Sequence, residues 1–165
     1  MNITILPEAV NDADTISHLI DTCFGPDRKE RTVYQFRDGV APYTDLCLVA
    51  RNDGGRLCGS LRFWPVMMPD QTILPLFGPL AVQPDLQGQG IGRKLIQAGH
   101  DLVAEHNFPA ILIIGRPDYY KPFGYCEKLV ENLNLPGPVA PLTFMGKEIE
   151  ADSLSHLHGD IHPAK

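Results

Sequence analysis

The 165-residue sequence lacks the long hydrophobic runs that cross membranes or direct export. No apolar stretch approaches the roughly 18 residues that span a bilayer. The first five residues, Met1 to Ile5, have neither the basic start nor the apolar centre of a secretory signal peptide. We therefore expect a cytoplasmic protein that does not contact a membrane.

Positive charge is also scarce. The sequence has 14 Lys and Arg residues against 20 Asp and Glu residues, which gives a formal net charge of −6. Proteins that bind nucleic acid place clustered Lys and Arg against the phosphates. The composition therefore predicts no nucleic-acid partner, and it is a weak hint toward a positively charged one.

Cysteine is infrequent and shows no paired spacing. The four residues, Cys23, Cys47, Cys58 and Cys126, contain no C-x-x-C pair, and each lies in or beside apolar sequence. This pattern predicts reduced cysteines in the core rather than disulfides. A cysteine nucleophile would need a partner base, and the sequence marks none.

The histidines do not have the spacing of a metal site. The C-terminal segment 151–165 carries three histidines and two aspartates at irregular intervals on a polar stretch: His156, His158, His162, Asp152 and Asp160. We expect a solvated tail and no bound metal. The other three histidines are expected on helix surfaces: His18, His100 and His106.

The composition is that of one globular domain. Hydrophobic residues make up 44% of the chain and charged residues 21%. A chain of this length buries about two-thirds of its unfolded surface, so it needs neither disulfides nor a metal to hold a core. We expect a single domain over residues 1–165, with a core at about 3–150 and a polar tail at 151–165.

Predicted strands and helices alternate along the chain. Strands are expected at 3–6, 46–51, 57–66, 73–82, 110–115, 129–135 and 144–149, and helices at about 12–24, 29–37, 91–107 and 117–123. Pro75, Gly78 and Pro79 interrupt the strand at 73–82, which predicts a bulge or lapsed pairing there. The strand, helix and apolar strand over 73–115 predict a parallel β-α-β unit with a right-handed crossover.

The most informative segment is a glycine-rich loop that leads into a helix, Gln87-Gly88-Gln89-Gly90-Ile91-Gly92-Arg93. Glycine lets the backbone approach a ligand, and N–H groups at a helix start have no intrahelical partner. Residues 87–94 also hold two basic residues and no acidic one. The loop predicts a phosphate-bearing cofactor; the alternative is a turn whose glycines only permit close packing.

Two common phosphate motifs do not fit this loop. A Walker A loop requires Gly-Lys-Ser/Thr, and here the corresponding residues are Arg93-Lys94-Leu95. A dinucleotide fingerprint requires G-x-G-x-x-G, whereas Gly92 follows Gly90 after a single residue. The expected strand at 110–115 also ends without an acidic residue to bind a ribose.

A third pattern fits. The sequence from Val82 to Gly92 reads V-x-P-x-x-Q-G-x-G-I-G and resembles the acetyl-CoA-binding motif of the GNAT superfamily of acetyltransferases. Tyr120 to Tyr125, after the next strand, resembles that family's Y-x-x-x-G-F/Y signature. Further similarity extends from the Gly25 region to Gly146, so the resemblance covers most of the chain.

The resemblance implies an α/β (α+β) fold with one twisted, mixed sheet of six or seven strands and about four helices. It also implies that the strands at 73–82 and 110–115 splay apart, and that acetyl-CoA lies in the opening. The residues expected to bind this co-substrate are Leu80, Ala81, Val82, Gln87, Gly88, Gln89, Gly90, Ile91, Gly92 and Arg93. Because Pro79 has no N–H, the donor to a carbonyl oxyanion would be Leu80 or a neighbour.

The implied activity is transfer of an acetyl group to a primary amine of a small molecule or protein, by a monomer or homodimer. Tyr120 matches the position of the family's acid, which protonates the leaving thiolate; Tyr119 is the less favoured candidate. Phe63 and Trp64 belong either to the core or to the acceptor pocket, and Glu30 and Arg31 are candidates for lining an acceptor cleft.

The sequence marks no base for the amine. Residues 71–84 contain no Asp, Glu or His, although many family members carry a carboxylate on this strand. The candidates are Glu30, Asp70, Asp118, Glu127 and a water relay. Two alternatives to the implied activity stay open: a non-catalytic CoA-binding module, and a transferase for another acyl-CoA or an oxygen acceptor.

Overall fold

The chain begins with a short strand and an amphipathic helix, as the sequence predicts. A computed structural model describes all 165 residues. Its strands and α-helices are, in chain order, β1 (Thr4–Pro7), α1 (Ala13–Phe24), β2 (Leu48–Arg51), β3 (Leu57–Met67), β4 (Ile73–Val82), α2 (Ile91–Glu105), β5 (Ala110–Ile114), α3 (Pro117–Tyr120), β6 (Leu133–Asn134), β7 (Phe144–Glu148), β8 (Gly159–Asp160) and β9 (His162–Pro163).

One mixed sheet of seven strands forms the centre of the domain. Its order is β1-β2-β3-β4-β5-β7, and β9 pairs with β3 outside that path. Every neighbouring pair is antiparallel except β4 and β5, which are parallel and joined through α2. This topology confirms the predicted mixed sheet and the β-α-β unit.

The fifth strand explains why the sheet is covered on both faces. Ile111 and Ile113 pack into a cluster beneath α2, whereas Ala110 and Leu112 pack into a cluster on the opposite face. Side chains of a strand alternate between the faces of its sheet, so this unbroken apolar run fills two cores at once.

The proline-interrupted strand β4 is bulged, as the sequence predicts. The register moves from Leu61 opposite Leu80 to Phe63 opposite Phe77, so three steps on β4 face two on β3. On the other side, β4 pairs with β5 only through Leu76 with Leu112 and Phe77 with Ile113. Beyond Phe77 the two central strands separate, and an opening forms at the bulge.

Some predicted elements are shorter than the periodicity indicates. The expected helix at 29–37 is two 3-10 helices, Arg28–Glu30 and Thr32–Phe36. The expected strand at 129–135 is a 3-10 helix, Glu127–Val130, followed by the two-residue β6. The structure therefore has three α-helices rather than four, since short apolar runs favour several conformations equally well. No helix is both long and apolar enough to cross a membrane.

The C-terminal segment 151–165 is part of the domain and not a solvated tail. Its apolar residues Leu154, Leu157 and Ile161 are buried in the second core cluster. β9 pairs with β3, and β8 pairs with β6. The histidines of this segment, His156, His158 and His162, are exposed. The expectation of a solvated tail relied on the polar residues alone and missed these three buried apolar residues.

Candidate active site

The glycine loop presents a row of free backbone donors. None of the N–H groups of residues 87–93 donates to a backbone carbonyl, and the first bond of the helix runs from the Lys94 N–H to the Gly90 carbonyl (3.1 Å). No side chain caps the start of α2. Together with the positive end of the helix dipole, these N–H groups form a site suited to an anion.

Glycine is required at two positions of this loop. Gly88 and Gly90 have φ angles of 83° and 86°, a conformation that side chains disfavour. Gln87 stabilises the loop through its side-chain amide, which donates to the Val82 carbonyl (3.1 Å). The loop is therefore held against the end of β4 while its N–H groups make no hydrogen bond to the backbone.

The Tyr120 ring lies where β4 and β5 separate. It contacts Phe77 edge to face, with 5.4 Å between ring centroids. Gly115, directly after β5, lies against the same ring, since a Cβ on that residue would be 2.7 Å from a Tyr120 ring carbon. Tyr120 thus contacts Phe77, the last residue of β4 that pairs with β5, and Gly115, the first residue after β5.

Tyr119 points instead toward the start of α2. A Cβ on Gly92 would lie 2.9 Å from the Tyr119 hydroxyl oxygen, so the absence of a side chain at Gly92 makes room for that hydroxyl. Arg116 lies over the Tyr119 ring at 5.7 Å, and Arg93 lies over Phe123 at 5.5 Å. Two guanidinium groups therefore border the loop.

The Tyr120 phenol stays protonated over a wide pH range. Burial raises its pKa well above the usual 10.0, Tyr119 raises it further, and Arg116 opposes the change. The phenol is therefore neutral and a hydrogen-bond donor throughout the neutral range.

A cavity of about 1360 Å³ joins the loop, the strand opening and the segment around residues 28–37. Of the residues expected to bind the co-substrate, eight line this cavity, as does Tyr120: Leu80, Val82, Gln87, Gly88, Gly90, Ile91, Gly92 and Arg93. Two do not. The Ala81 side chain is buried against α1 in a separate cluster, and Gln89 faces solvent.

The candidate bases divide into two groups. Glu30 and Asp118 line the cavity. Asp70 lies outside it and accepts hydrogen bonds from Thr72 in the β3–β4 turn. Glu127 also lies outside the cavity and is paired with Lys121. Within the cavity the carboxylates are outnumbered by five arginines: Arg28, Arg31, Arg37, Arg93 and Arg116.

Phe63 and Trp64 point to opposite faces of β3. Phe63 is fully buried in the core cluster beneath α2. Trp64 lines a second cavity of about 500 Å³, which shares Arg28, Tyr34 and Arg37 with the first. Phe63 therefore belongs to the core, whereas Trp64 packs against the second core cluster and also lines a cavity.

His100 is not the helix-surface residue that we expected. Its Nε2 lies 2.9 Å from the Tyr125 hydroxyl oxygen, with which it shares a hydrogen bond. Burial and the charge of Lys147 lower the His100 pKa from 6.5 to about 4, against the opposing charge of Asp101. The spacing of four residues from Ile96 and three from Val103 is the sequence signal that places His100 near the apolar face of α2.

Sequence reasoning also missed Arg37 and Tyr34. The signal was present as a local excess of charge, because residues 28–37 contain four basic residues and one acidic residue in an acidic chain. The structure brings this segment over the bulge of β4, where Arg37 and Tyr34 line both cavities.

Comparisons with known proteins agree with this geometry. The uncharacterised N-acetyltransferase YhbS of Escherichia coli K12 is 29% identical over 149 residues, which cover 90% of this chain and 88% of YhbS. The uncharacterised N-acetyltransferase YjhQ of the same strain is 25% identical over 131 residues, which cover 78% of this chain and 71% of YjhQ.

Solved structures have the same fold. The crystal structure of YhbS in complex with CoA covers 98% of this chain, and 89% of YhbS is matched, with a TM-score of 0.81 and 29% identity. A GNAT acetyltransferase of Brucella melitensis in complex with acetyl-CoA has a TM-score of 0.69 at 24% identity, covering 98% of this chain and 95% of that one.

The family assignment follows from the match at the site itself. The family model for the acetyltransferase (GNAT) domain matches residues 44–127, just over half of the chain. That range runs from β2 through the bulged strand and the glycine loop to the tyrosines of α3. The chain therefore belongs to the GNAT family of N-acetyltransferases.

Proposed function

We propose that this chain binds acetyl-CoA in the larger cavity and transfers its acetyl group to a primary amine. The observation that carries the proposal is the row of free N–H groups at residues 87–93, which opens directly onto the gap between β4 and β5. The CoA and acetyl-CoA complexes of the two similar structures support the choice of ligand.

The loop would hold the pyrophosphate of the co-substrate. Its N–H groups supply hydrogen bonds, the helix dipole supplies partial positive charge, and Arg93 supplies a full charge beside them. Unpaired edges of β4 and β5 line the gap beyond the loop. The amide-containing arm of the co-substrate has matching donors and acceptors, so it would pair with those edges as an added strand does.

The chemical step is direct attack on the thioester. The amine nitrogen forms a bond to the acetyl carbon, and a tetrahedral intermediate places negative charge on the former carbonyl oxygen. A backbone N–H at Leu80 or a neighbour would stabilise that oxygen. The carbon–sulfur bond then breaks, and the leaving thiolate takes a proton from Tyr120. The acylated nitrogen loses its extra proton through water, which restores the proton on the Tyr120 phenol.

The local charge assists loss of the amine proton. An alkyl ammonium group has a pKa near ~10.4 in water, and only the neutral amine attacks. Arg31 and Arg37 line the cavity and form no ion pair within the chain, and nearby positive charges lower the pKa of a bound ammonium group. This field supplies what the missing carboxylate on β4 would otherwise contribute, with Glu30, Asp118 or water accepting the proton.

The test has a binding arm and a turnover arm. Calorimetry with acetyl-CoA should give a dissociation constant in the micromolar range. A panel of primary amines, each matched with the alcohol of the same skeleton, should then release free thiol from acetyl-CoA only with amines. Absence of binding would refute the proposal, and binding without turnover on any amine would favour the non-catalytic module.

A further inference from the structure

Arg37 lines both cavities and carries a buried positive charge that no carboxylate balances. The Arg37 residue is only 8% exposed, takes part in none of the chain's ion pairs, and its Nε has no hydrogen-bond partner. Its guanidinium stacks instead on two aromatic rings, 4.8 Å from the Tyr34 centroid and 5.8 Å from that of Trp64.

The neighbouring arginines are different. Arg28 is paired with Asp21 (2.6 Å), and Arg62 is paired with Glu8 (2.7 Å). Arg37 has no such partner: Asp38, which also lines the second cavity, is exposed and forms no ion pair with it. Trp64 adds a second buried donor, since its Nε1 also has no hydrogen-bond partner.

A buried charge without a counter-ion is costly, and Arg37 shows that cost. Burial lowers its pKa, Tyr34 opposes the change, and the charges of Arg28 and Arg62 add to it, so that the pKa is about 10. The group nevertheless remains protonated at neutral pH. A stable protein retains such a charge most readily where a ligand supplies the missing anion.

The position of Arg37 indicates which ligand this is. A Cβ on Gly78 would lie 3.2 Å from Arg37 Nη2 and 4.0 Å from the Leu80 amide nitrogen. The guanidinium therefore lies at the bulge of β4, next to the proposed point of acyl transfer. The second cavity, which Arg37 and Trp64 also line, contains no residue of the glycine loop. Arg37 and Trp64 accordingly lie on the acceptor side of the site.

We propose that the acceptor is a small amine that also carries a carboxylate, and that Arg37 binds this carboxylate. The inference rests on the proposed acetyl transfer and adds the class of its acceptor. Guanidinium and carboxylate form two parallel hydrogen bonds, which fix the orientation of the bound molecule. The acidic net charge of the chain hinted at a cationic acceptor, but the charge around Arg37 has the opposite sign.

The first experiment uses matched pairs of acceptors on the wild-type protein, such as β-alanine with propylamine and 4-aminobutyrate with butylamine. Free thiol release should show a kcat/KM that is roughly 10- to 100-fold higher for the amino carboxylate of each pair, as hydrogen bonds to charged groups predict. Equal values, or a preference for the plain amines, would overturn the proposal.

Substitution of Arg37 identifies the residue responsible. Arg37→Gln should raise KM for the amino carboxylates and leave the plain amines nearly unchanged, whereas Arg37→Lys should keep part of the preference. Arg56→Gln, which removes an exposed arginine that lines neither cavity, is the matched control. An equal loss of kcat for both members of a pair would place Arg37 at the oxyanion and refute its role in acceptor binding.

A binding experiment separates this proposal from the proposed activity. Trp64 is the only tryptophan of the chain and lies against Arg37, so its fluorescence reports on that site without turnover. Titration with each amino carboxylate, in the presence of CoA, should change the emission saturably, and the matched amine should not. If no acetyl-CoA binds, the proposed function fails; if acetyl-CoA binds but the pairs give the same titration, the acceptor class fails.

Discussion

A methyl group added at Gly115 should displace the Tyr120 ring and slow acyl transfer. A Cβ at this position would lie 2.7 Å and 2.9 Å from two carbons of the ring. Non-bonded carbons are at their optimum at about 3.5–4.0 Å, so the ring must move by about 0.8 Å or more. Gly115 does not have a positive φ, so the alanine backbone is unstrained.

The expected effect is on kcat rather than on binding. Misplacement of a reacting group by about 1 Å can cost on the order of 100-fold in rate. We therefore expect Gly115→Ala to lower kcat by roughly 30- to 100-fold, measured as thiol release at saturating acetyl-CoA and amine. The loop at residues 87–93 is untouched, so the acetyl-CoA dissociation constant from calorimetry should change by less than about threefold.

Two further variants make the reasoning refutable. Gly54→Ala, in the β2–β3 turn, adds the same methyl group with its nearest neighbour at 3.5 Å and should leave kcat unchanged. Tyr120→Phe should slow thiol release by roughly 100-fold. If Gly115→Ala acts through the phenol, the double variant should be no slower than Tyr120→Phe alone. A folded Gly115→Ala protein with full kcat, or additive losses in the double variant, would show that Tyr120 is not the acid.

The other predictions concern the loop, stability and pH. Gly90→Ala should weaken acetyl-CoA binding by roughly tenfold in calorimetry, because a residue with a side chain pays about 1–2 kcal/mol to adopt the left-handed conformation. Gly55→Ala is the control: Gly55 has a similar φ of 81°, so its substitution should lower the melting temperature without changing binding. The pKa of His100 is lower in the folded state than in the unfolded state, so on acidification the unfolded state takes up this proton first. The free energy of unfolding, measured with urea, should therefore fall by about 3 kcal/mol between about pH 6.5 and pH 4. His100→Gln should flatten this pH dependence. Because the pKa of Tyr120 lies well above 10.0, kcat should rise with pH as the amine deprotonates and should show no alkaline limb before about pH 10.

The sequence allowed much of the fold to be predicted because its patterns are local. The spacing of Ile16, Leu19 and Ile20 predicts α1, and the unbroken run Ile111–Ile114 predicts a strand that is buried on both faces. Gly78 and Pro79 predict the bulge of β4 through their own backbone chemistry. In each case one short segment contains the whole signal.

What could not be predicted depends on contacts between distant segments. Arg37 is a surface residue by composition, and it becomes buried only because the segment at 28–37 folds over the bulge 40 residues later. His100 similarly acquires its partner from Tyr125, across the domain. The same holds for the C-terminal segment, whose three buried residues have polar neighbours in sequence and find their core only in the tertiary fold.

The sparse contact between β4 and β5 has a mechanical consequence. Only two residue pairs, Leu76 with Leu112 and Phe77 with Ile113, join β4 to β5 within the sheet. A ligand that pairs with both strands beyond Phe77 would connect them across this seam between β4 and β5. Saturating acetyl-CoA should accordingly slow amide hydrogen exchange on both sides of the seam at once and raise the melting temperature with the logarithm of its concentration.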